Sequence, residues 1–449
     1  MHIDELIIQN FRCIKKIKLK FSPDNIAVII GINGAGKSSV LDSIAILLIQ
    51  LKTQIIKIEL VELFESDAAK EEINRFLTLD DINYESKQAN VSLIVSTDYH
   101  DVISWNATKS IVNKDIEGNY HQISRYIEYL RQNLESSPEF NLPLLVYYRT
   151  RRMSLDTQSI NSEDLDSTIS QCKINQLNAY RGAFNPEINT FQDFLVWFRV
   201  EEDYENEIRL RQNNNYRNPN LEVIRKAIEG FLEGFPNSNF SNLRVVRTTS
   251  HRNLNFTRSP IPPSLTITKN NQDFKLEQLS DGEKMLLMLV ADLARRLAIA
   301  NPGLGVDALQ GRGIVLIDEI DLHLHPQWQR MVIPSLTKPF PNCQFIVTTH
   351  SPQVLSKVKK ENVFILEDYN LVEVTPHTYG RDSNSILYEL MDVKERPGDV
   401  QEKIDACFAL IDEEKIEEAK VKLQELADLL GENDAEIVRA RTLISFLTD

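Results

Sequence analysis

The sequence has few cysteines and no long hydrophobic run. Its 449 residues include four cysteines, which lie far apart and form no C-x-x-C pair: Cys13, Cys172, Cys343 and Cys407. This spacing is typical of reduced, mostly buried thiols rather than of disulfides or a zinc site. No window reaches the roughly 18 apolar residues that a membrane span needs, and the acidic N-terminal stretch lacks the pattern of a signal peptide. We therefore expect a cytoplasmic protein without a membrane partner.

Basic residues are fewer than acidic ones. The chain has 50 Lys and Arg against 65 Asp and Glu, and its net charge is -15. Because phosphate binding is driven by Lys and Arg, this balance argues against a surface coated with nucleic acid. Two basic stretches remain candidates for contact with DNA or RNA: "YYRTRR", which ends at Arg152, and residues 244–258. A solvated face or an internal phosphate contact is the alternative interpretation of both.

Hydrophobic periodicity divides the chain into strands and helices. The first fifty residues predict two alternating strands, then the buried strand "NIAVII", a Gly-rich turn and an apolar helix. Residues 152–189 are polar and predict a loop. The remaining predicted strands are "ANVSLIVSTD", "DVISWNAT", "LPLLVYY" (as a central strand), "LRVVRTTS" and "SLTITKN", and the predicted helices are "FQDFLVWFRVEEDYENEIRLRQ" and "LEVIRKAIEGFLEGF".

The Gly-rich turn is a phosphate-binding loop. "GINGAGKS", from Gly31 to Ser38, matches G-x-x-x-x-G-K-[ST] and lies between a strand and a helix, which is the context the motif requires. Its backbone N–H groups can surround a phosphate, Lys37 supplies positive charge, and the Ser38 hydroxyl can bind Mg²⁺. The predicted cofactors are therefore ATP and Mg²⁺, and the predicted loop residues are Asn33, Gly34, Gly36, Lys37, Ser38 and Ser39.

A second motif brings acids and histidines close together. "GIVLIDE" is a short apolar run that delivers Asp318 to the end of a strand, where its carboxylate can support Mg²⁺, and Glu319 can then polarise a water molecule. Asp321, His323 and His325 follow within six residues, so a metal cage is an alternative. Neither a third ligand nor a cysteine is placed to complete a zinc site with the histidines.

A third motif, "LSDGEK" from Leu279 to Lys284, predicts a helix start. Ser280 can cap the helix, and Glu283 completes the S-x-x-E capping box. Gly282 in the first turn costs helix stability, which makes sense if a phosphate must approach the exposed N–H groups. A plain helix start is the alternative. The motif resembles the signature sequence of ABC ATPases, with Asp281 in place of the usual glycine.

Together these motifs resemble the ABC ATPases of the SMC and RecF kind. The P-loop, the signature, the acidic strand end and a lone His350 in "FIVTTHSP" occur in the order of that family. The resemblance implies an α/β fold: an ABC/SMC-type P-loop ATPase head with a helical insertion and a C-terminal helical hairpin. It also implies that two heads enclose two nucleotides, each site combining one subunit's P-loop with the other's signature.

The same resemblance implies a role for each motif residue. Lys37 and Ser38 would hold phosphate and Mg²⁺, Asp318 would support the metal, and Glu319 would position the attacking water. Ser280 and Gly282 would contact the γ-phosphate of the partner's nucleotide, and His350 would sense it. "LHP" in the D-loop is the RecF-like form, so His325 would cross the dimer interface, with His323 at a packing or surface position. No single glutamine is indicated for the Q-loop.

The sequence differs from the common members of this family, and the differences indicate which subgroup it resembles. No long heptad array fills the residues between P-loop and signature, which excludes an SMC arm or a zinc hook. "VYYRTRR", "FQDFLVWFRVEEDYENE" and "RPGDV" resemble a group of compact SMC-like ATPases of bacterial anti-phage defence, which includes the PtuA subunit of Septu and ATPases of some retrons. Members of that group act beside an HNH nuclease. An OLD-type nuclease is disfavoured, because no second strand ending in D-x-D follows "ILEDYN".

The predicted domains are a head over residues 1–385, in which residues 56–275 contain the insertion between P-loop and signature, and a helical tail over 386–449. In the tail, apolar residues at helical spacing predict two helices with Gly431 as a C-cap: Ile416, Ala419, Leu423, Leu426 and Leu430 in the first, and Ile437, Ala440, Ile444 and Leu447 in the second. This hairpin either packs on its own domain or docks a partner.

Three functions fit the sequence. The leading one is an ATPase subunit that works as a switch in a homodimer or larger oligomer and controls a nuclease subunit. The second is a RecF-like repair ATPase that binds duplex DNA, and the third is an ATP-binding scaffold with negligible turnover. A transporter cassette ranks lowest, because it needs a membrane partner and a much shorter insertion.

Overall fold

The computed structural model describes residues 1–57, 77–97, 101–113, 116–150, 175–185, 190–235, 240–246, 264–373, 376–391 and 395–448. The chain divides into two compact units, Met1–Arg381 and Asp382–Asp449. In the first, the strands are β1 (His2–Phe11), β2 (Ile14–Lys20), β3 (Ile26–Ile30), β4 (Gln88–Ser96), β5 (Val102–Ser110), β6 (Leu144–Tyr148), β7 (Phe240–Val246), β8 (Ser264–Lys269), β9 (Gln272–Lys275), β10 (Gly313–Ile317), β11 (Cys343–Thr348), β12 (Val363–Glu367) and β13 (Asn370–Leu371).

The helices of the first unit are α1 (Lys37–Ile56), α2 (His121–Ser136), α3 (Thr190–Arg211), α4 (Pro219–Leu232), α5 (Asp281–Ala300), α6 (Pro326–Thr337) and α7 (Pro352–Leu355). Those of the second are α8 (Ser383–Met391), α9 (Gly398–Asp412), α10 (Ile416–Leu430) and α11 (Ala435–Thr448). The strands and helices predicted in the described residues are all confirmed. Most of the predicted loop at 152–189 lies outside the described residues, but 175–185 includes the 3₁₀ helix Gln176–Tyr180, which buries Leu177 and Tyr180.

A six-stranded sheet carries the nucleotide-binding motifs. Its order is β13-β12-β3-β11-β10-β6, and all neighbours are parallel except β12 and β13. The strand β3 ends directly before the P-loop, and β10, two strands away with β11 between them, ends directly before Asp318. Because parallel strands end at the same edge of a sheet, the segments after β3, β6, β10 and β11 meet there. This edge is the candidate site.

The prediction that "LPLLVYY" forms a central strand is wrong. The strand β6 is fully buried, but it lies at the edge of the sheet, next to β10. Its free side is covered by the segment after the 3₁₀ helix, where the amide of Tyr147 donates to the carbonyl of Ala183 over 2.9 Å. An edge strand covered in this way shows the same unbroken apolar run as a central strand, so the sequence pattern could not separate the two.

The described residues of the first unit also form two antiparallel sheets. One has the order β2-β1-β4-β5, and the other β7-β8-β9. Residues 56–275, which contain the predicted insertion, supply β4 and β5 to the first of these sheets and β6 to the nucleotide-binding sheet. Arg12, in the turn between β1 and β2, is fixed by residues from the segment before β4: its amide donates to the Asp81 carbonyl over 2.7 Å.

The helix α1 is the one described helix that is long and apolar enough to cross a membrane by length and composition. It begins directly after the P-loop, and 83% of its most apolar window is buried inside the protein. Its apolar character is therefore explained by packing: α1 lies against β4 and β11 in the core of the head.

The second unit has its own apolar core. Both predicted tail helices are present as α10 and α11, and Gly431 follows α10 with a φ of 93°. The hairpin also packs on a third helix, α9, which the sequence interpretation missed and which contributes Ile404, Cys407 and Ile411 to that core. Leu447, predicted on the apolar face of α11, is instead 54% exposed.

Candidate nucleotide-binding site

The P-loop wraps the N-terminal end of α1. Gly36 caps that helix in a left-handed conformation, with a φ of 100°, which an L side chain rarely adopts. Asn33, Gly34 and Ser38 are exposed at the loop surface, and Ser39 is half-buried. The loop therefore presents backbone N–H groups and hydroxyls to the solvent at a helix N-terminus, which is where phosphate binds.

The side chain of Lys37 is folded back onto its own loop. The residue is buried, and its ammonium donates to the carbonyls of Gly31 and Ile32 over 3.0 and 3.1 Å. Burial lowers the pKa of Lys37, and the nearby carboxylates of Asp318 and Glu319 oppose that shift. The ammonium thus lies inside the loop that a phosphate would enter.

Asp318 accepts hydroxyl groups from three different segments. Ser38 donates over 3.1 Å, Thr348 over 2.6 Å, and Thr150, just after β6, over 3.4 Å. The P-loop hydroxyl and the acid of β10 therefore meet, as the sequence predicted they could. The side-chain atoms that meet here are all oxygens, three from hydroxyl groups and two from the Asp318 carboxylate, and oxygen ligands are those that Mg²⁺ prefers.

Glu319 follows Asp318, but its backbone is not in an extended conformation. Its φ is +54°, and its amide donates to the Thr348 hydroxyl over 2.8 Å. Thr348 thus fixes both acids, since it donates to Asp318 and accepts from Glu319. The half-buried Glu319 side chain lies within electrostatic range of both Lys37 and His350.

His350 lies two residues beyond the end of β11, among the same acids. Asp321 accepts from the Thr349 hydroxyl over 2.6 Å and from the His350 amide over 3.4 Å. Burial, and then the charge of Lys37, lower the pKa of the His350 imidazole against the pull of the carboxylates. The neutral imidazole is therefore favoured near pH 7.

The signature residues form a second group, on α5. Ser280 caps this helix and accepts from the Glu283 amide, and the Glu283 carboxylate accepts from the Ser280 amide over 3.0 Å, so the predicted capping box is confirmed. Glu283 also pairs with Lys269 of β8. Gly282 packs against the D-loop carbonyl of His323. This contact within the chain explains the glycine without the approach of a phosphate.

The two histidines of the D-loop take different places. His325 is exposed and caps α6, accepting from the Gln327 amide over 3.3 Å. His323 is also exposed, with a φ of 60°, and the buried Leu324 separates the two. Among the residues that the structure describes, no group of three or more His, Cys, Asp or Glu side chains is arranged to hold a metal ion.

The described parts of the basic stretches are engaged in ion pairs. Arg149 approaches Asp42 to 2.8 Å, and Arg244 approaches Asp273 to 2.6 Å. Residues 151, 152 and 247–258 lie outside the described residues. Of the cysteines, Cys13 is exposed, Cys343 and Cys407 are buried, and Cys172 lies outside the described residues.

Sequence reasoning missed most of the residues that surround the predicted ones. Thr150, Thr348 and Asp42 were not singled out, and neither was Arg12, whose guanidinium lies 3.4 Å from the Ser39 hydroxyl. A signal was available for the two threonines. Each lies at the carboxyl end of a predicted parallel strand, and such ends converge at the edge where Asp318 lies.

Comparisons with known proteins agree with this geometry. Residues 26–356, from β3 to just beyond His350, match the family described as "AAA domain, putative AbiEii toxin, Type IV TA system". The chain is 29% identical over 440 residues to the "Retron Ec83 probable ATPase" of Escherichia coli, covering 88% of this chain and 77% of the relative. It is 25% identical over 358 residues to the "Septu protein PtuA" of Bacillus thuringiensis, covering 79% and 72%.

Solved structures that are similar to this chain include SMC heads and RecF. An SMC head bound to the C-terminal winged-helix domain of ScpA has a TM-score of 0.44 at 18% identity, over 84% of this chain and 98% of that one. RecF with ATP has a TM-score of 0.38 at 15% identity, over 83% and 99%. Since the family match spans most of the chain and contains the whole P-loop and acidic-strand site, this protein belongs to that AAA domain family and is an ATPase, homologous to retron ATPases and to Septu PtuA.

Proposed function

We propose that this chain is the ATPase subunit of an anti-phage defence complex, in which head dimers that enclose ATP control a partner nuclease of the HNH type. The observation that carries the catalytic part is the meeting of Ser38, Asp318 and Thr348, because it joins the P-loop to the acidic strand end. The defence role is supported by the relatives, which are retron and Septu proteins.

Phosphate binding requires the Lys37 ammonium to leave its hydrogen bonds within the P-loop. When the triphosphate enters the loop, the ammonium exchanges the carbonyls of Gly31 and Ile32 for phosphate oxygens, while the N–H groups of residues 33–39 surround the β-phosphate. Ser38 and Asp318 would hold Mg²⁺, which neutralises charge on the phosphates when bound. Asp318 is already aimed by its three hydroxyl donors, so binding needs little rearrangement of this carboxylate.

Hydrolysis requires a base at the end of β10. We assign this role to Glu319, whose carboxylate accepts a proton from the attacking water as the water oxygen bonds to the γ-phosphorus and the bond to the ADP oxygen breaks. Thr348 positions the base through the Glu319 amide. His350, held near Asp321, would contact the γ-phosphate as a neutral hydrogen-bond donor.

The partner head completes the site. In this proposal Ser280 and Gly282 at the N-terminus of α5 bind the γ-phosphate of the other subunit's nucleotide, since a helix N-terminus attracts an anion. His325 is exposed in the D-loop and would contact the partner head. Gly282 packs on the His323 carbonyl, so signature and D-loop would move together when the heads close.

The tail is suited to a protein partner rather than to nucleic acid. Residues 382–449 carry eighteen acidic and eight basic residues, so they repel phosphate. They form a compact unit with a core of its own, and Phe446 is 77% exposed on its last helix. We therefore assign the tail, residues 386–449, to docking of the nuclease subunit, and residues 1–385 to the ATPase head.

The test uses Glu319→Gln in the full chain. With ATP and Mg²⁺, this variant is expected to bind ATP, lose turnover, and accumulate as a dimer or larger oligomer in size-exclusion chromatography with light scattering. Lys37→Ala is the matched control, which should bind no ATP and form no such species. Wild-type turnover by Glu319→Gln would overturn the assignment of the base.

The partner proposal has a separate test. The chain is co-expressed with a candidate HNH nuclease from the same operon, and retention of the nuclease is measured with and without residues 386–449. Loss of the nuclease with an unchanged ATPase rate is the expected result. Retention of the nuclease by the truncated chain would exclude the tail as the docking site.

A further inference from the structure

The hairpin between β12 and β13 carries the end of "ILEDYN", a stretch that the proposed function leaves unused. Glu367 pairs with Asn370 across it, so Asp368 and Tyr369 form a two-residue turn. Both have a positive φ, 46° and 62°, which is the type I′ conformation that favours glycine at its second position. A tyrosine there costs backbone strain that a glycine would not, and strain of this kind indicates a use for the side chain.

The ring of Tyr369 lies against the P-loop. Its Cδ1 atom is 3.6 Å from the position that a Cβ atom on Gly36 would occupy, and the buried Ile14 of β2 packs on that position as well. The first glycine of the loop, Gly31, packs on the carbonyl of Leu366 at the end of β12. The P-loop therefore contacts this hairpin and the strand before it near both of its ends.

The turn between β1 and β2 joins Tyr369 to the start of α1. The hydroxyl of Tyr369 is hydrogen-bonded to the sulfur of the exposed Cys13. The neighbouring residue, Arg12, approaches the Ser39 hydroxyl with its guanidinium to 3.4 Å and is held by Asp42 of α1 at 2.7 Å. Two turns from two different sheets thus lie side by side at the last residues of the P-loop.

The order of the strands indicates which end of a nucleotide would reach these turns. Ser38 meets Asp318 on the β10 side of β3, so Mg²⁺ and the γ-phosphate belong on that side in the proposed site. The strand β12 borders β3 on the opposite side. A triphosphate that is bound between the two sides directs its nucleoside away from Asp318, toward the turn that carries Tyr369.

The chemistry of this turn suits a base and not a phosphate. The carboxylates of Glu367 and Asp368 are exposed beside the ring and repel an anion, whereas a neutral base is not repelled. An aromatic ring binds a base by stacking, which requires no particular pattern of hydrogen bonds. The ring of Tyr369 is 38% exposed. Its contacts with the loop and with Cys13 fix it in advance, so it loses little conformational entropy when a base stacks on it.

We propose that the base of the nucleotide bound at the P-loop stacks on Tyr369 of the same subunit. This inference rests on the proposed function, because it assigns the base-binding part of the same ATP site. Stacking depends on the area of the base rather than on its hydrogen-bonding groups. Tyr369 therefore contributes to the affinity for the nucleoside part of ATP and not to the affinity for its phosphates.

The first experiment measures the dissociation constants of full-length variants for a non-hydrolysable ATP analogue and for inorganic triphosphate, both with Mg²⁺. Tyr369→Leu is expected to raise the dissociation constant for the analogue roughly fivefold to a hundredfold, the range for one lost base–aromatic stack. Its affinity for inorganic triphosphate should equal that of the wild type. Tyr369→Phe should keep most of the affinity for the analogue, because it keeps the ring.

Tyr379→Leu is the matched control. Tyr379 belongs to the same compact unit and is 64% exposed, so the substitution removes an accessible tyrosine of the head at another position. It should leave both dissociation constants unchanged. Unchanged affinity of Tyr369→Leu for the analogue would overturn the proposal. An equal loss of affinity for the analogue and for inorganic triphosphate would also overturn it, because it would indicate a disturbed P-loop instead of a lost stack.

The second experiment uses the thiol that touches the ring. Alkylation of Cys13 by iodoacetamide is followed by peptide mass spectrometry of the full-length wild type. The ATP analogue should slow this reaction, because a base on Tyr369 covers the neighbouring sulfur, and inorganic triphosphate should not. Equal rates with and without the analogue, or equal protection by inorganic triphosphate, would exclude a base at this turn.

The outcome is separable from failure of the proposed function. If the wild type binds the analogue and Lys37→Ala does not, the ATP site stands, and normal binding by Tyr369→Leu then refutes only the role of Tyr369. If the wild type binds no analogue, or Lys37→Ala binds it equally well, the site assignment itself fails. Melting temperatures of all variants exclude loss of affinity through unfolding.

Discussion

Gly282 lies so close to the main-chain carbonyl of His323 that a Cβ atom at position 282 would come within 2.5 Å of the carbonyl oxygen. Leu324 lies on the same side, 3.2 Å from that Cβ position. Gly282 is in the first turn of the signature helix, and His323 is in the D-loop, so the two segments are in direct backbone contact. Any change that separates them must move one segment that is expected to meet the partner head.

Gly282→Ala should therefore affect both stability and turnover. The added methyl group forces the D-loop or the start of α5 to shift, at a cost of about 1–3 kcal/mol. We expect a lower melting temperature and a reduced ATPase rate, with little change in ATP affinity, because the P-loop is untouched. The measurements are thermal unfolding, steady-state turnover and binding of an ATP analogue.

Gly398→Ala is the control for this change. Gly398 lies at the start of α9, where a Cβ atom would meet nothing within 4 Å. Alanine there should be neutral or slightly stabilising, because it has the higher helix propensity. If Gly282→Ala has the same melting temperature and ATPase rate as Gly398→Ala, the close contact with His323 contributes neither to stability nor to turnover.

Thr348→Val should reduce turnover with little effect on the binding of ATP. The substitution keeps the side-chain shape but removes the hydroxyl that donates to Asp318 and accepts from the Glu319 amide. Two hydrogen bonds that aim the acids are lost, each worth about 0.5–3 kcal/mol, so we expect a fall of roughly tenfold or more in kcat. The measurement is kcat and KM at saturating Mg²⁺.

Thr378→Val is a matched control for the threonine. Thr378 is buried and donates to the carbonyl of Val358 over 2.6 Å, outside the candidate site. This variant should lose stability but keep kcat once folded. An equal fall in kcat in both variants would assign the effect of Thr348→Val to general destabilisation.

The structure and the sequence agree where the interactions are local. The P-loop, the capping box at Ser280 and Glu283, and the C-cap at Gly431 each depend on residues within a few positions of one another, so spacing alone predicts them. The partners of Asp318 lie 30, 168 and 280 residues away in Thr348, Thr150 and Ser38. The order of the strands in the sheet brings these residues together. Periodicity along one sequence places Thr150 and Thr348 at strand ends, but it does not give the order of the strands.

The error on β6 has the same origin. The burial of β6 arises from the segment that covers its free edge, so its apolar run could not distinguish an edge strand from a central one. The missed helix α9 is different, because Ile404, Cys407 and Ile411 are spaced three and four apart and form a readable apolar stripe. The role of Gly282 could be predicted only as a choice between phosphate access and a helix start, since close packing on His323 is a tertiary contact.

The pH dependence of stability should report on His350. Its folded pKa lies below the ordinary value of 6.5, chiefly because of burial. The imidazole therefore binds a proton more readily in the unfolded state than in the folded state. As the pH falls below about 6.5, protonation of the unfolded state lowers the free energy of unfolding. Above that pH the imidazole is neutral in both states, and its contribution no longer changes. His350→Gln removes this titration. The difference in melting temperature between wild type and His350→Gln should change between pH 7.5 and pH 5.5, with the wild type losing more on acidification.

The comparison with His350→Gln cancels the other groups that titrate in this range. A constant difference between wild type and His350→Gln would mean that the imidazole titrates alike in the folded and unfolded states.

Loss of Asp292 should destabilise the head strongly. This buried carboxylate on α5 pairs with Arg295 at 2.6 Å and with the fully buried Arg296 at 2.7 Å, and accepts the Tyr148 hydroxyl over 2.8 Å. The two arginines hold the pKa of Asp292 far below its usual range despite burial. Asp292→Ala would leave buried positive charge without its counterion, at a cost of about 3–5 kcal/mol. Denaturant unfolding of the full chain measures this cost.

The exposed pair of Arg244 and Asp273 is the comparison for this prediction. Their side chains are 42% and 52% exposed, so Asp273→Ala should cost less than about 1 kcal/mol. Equal costs for the two substitutions would contradict the importance of burial at Asp292.

The substitution Leu423→Ala should destabilise the tail without affecting the ATP site. Leu423 is buried in the core shared by α9, α10 and α11, and Leu423→Ala leaves a cavity that costs about 2–5 kcal/mol. Because this core contains residues of the second unit alone, we expect an early unfolding step in calorimetry of the full chain, while binding of the ATP analogue at low temperature stays at the wild-type level. Val421→Ala, at a position on α10 that is 62% exposed, should leave both measurements unchanged. Loss of nucleotide binding in Leu423→Ala at a temperature where the head remains folded would show that the ATP site depends on the tail.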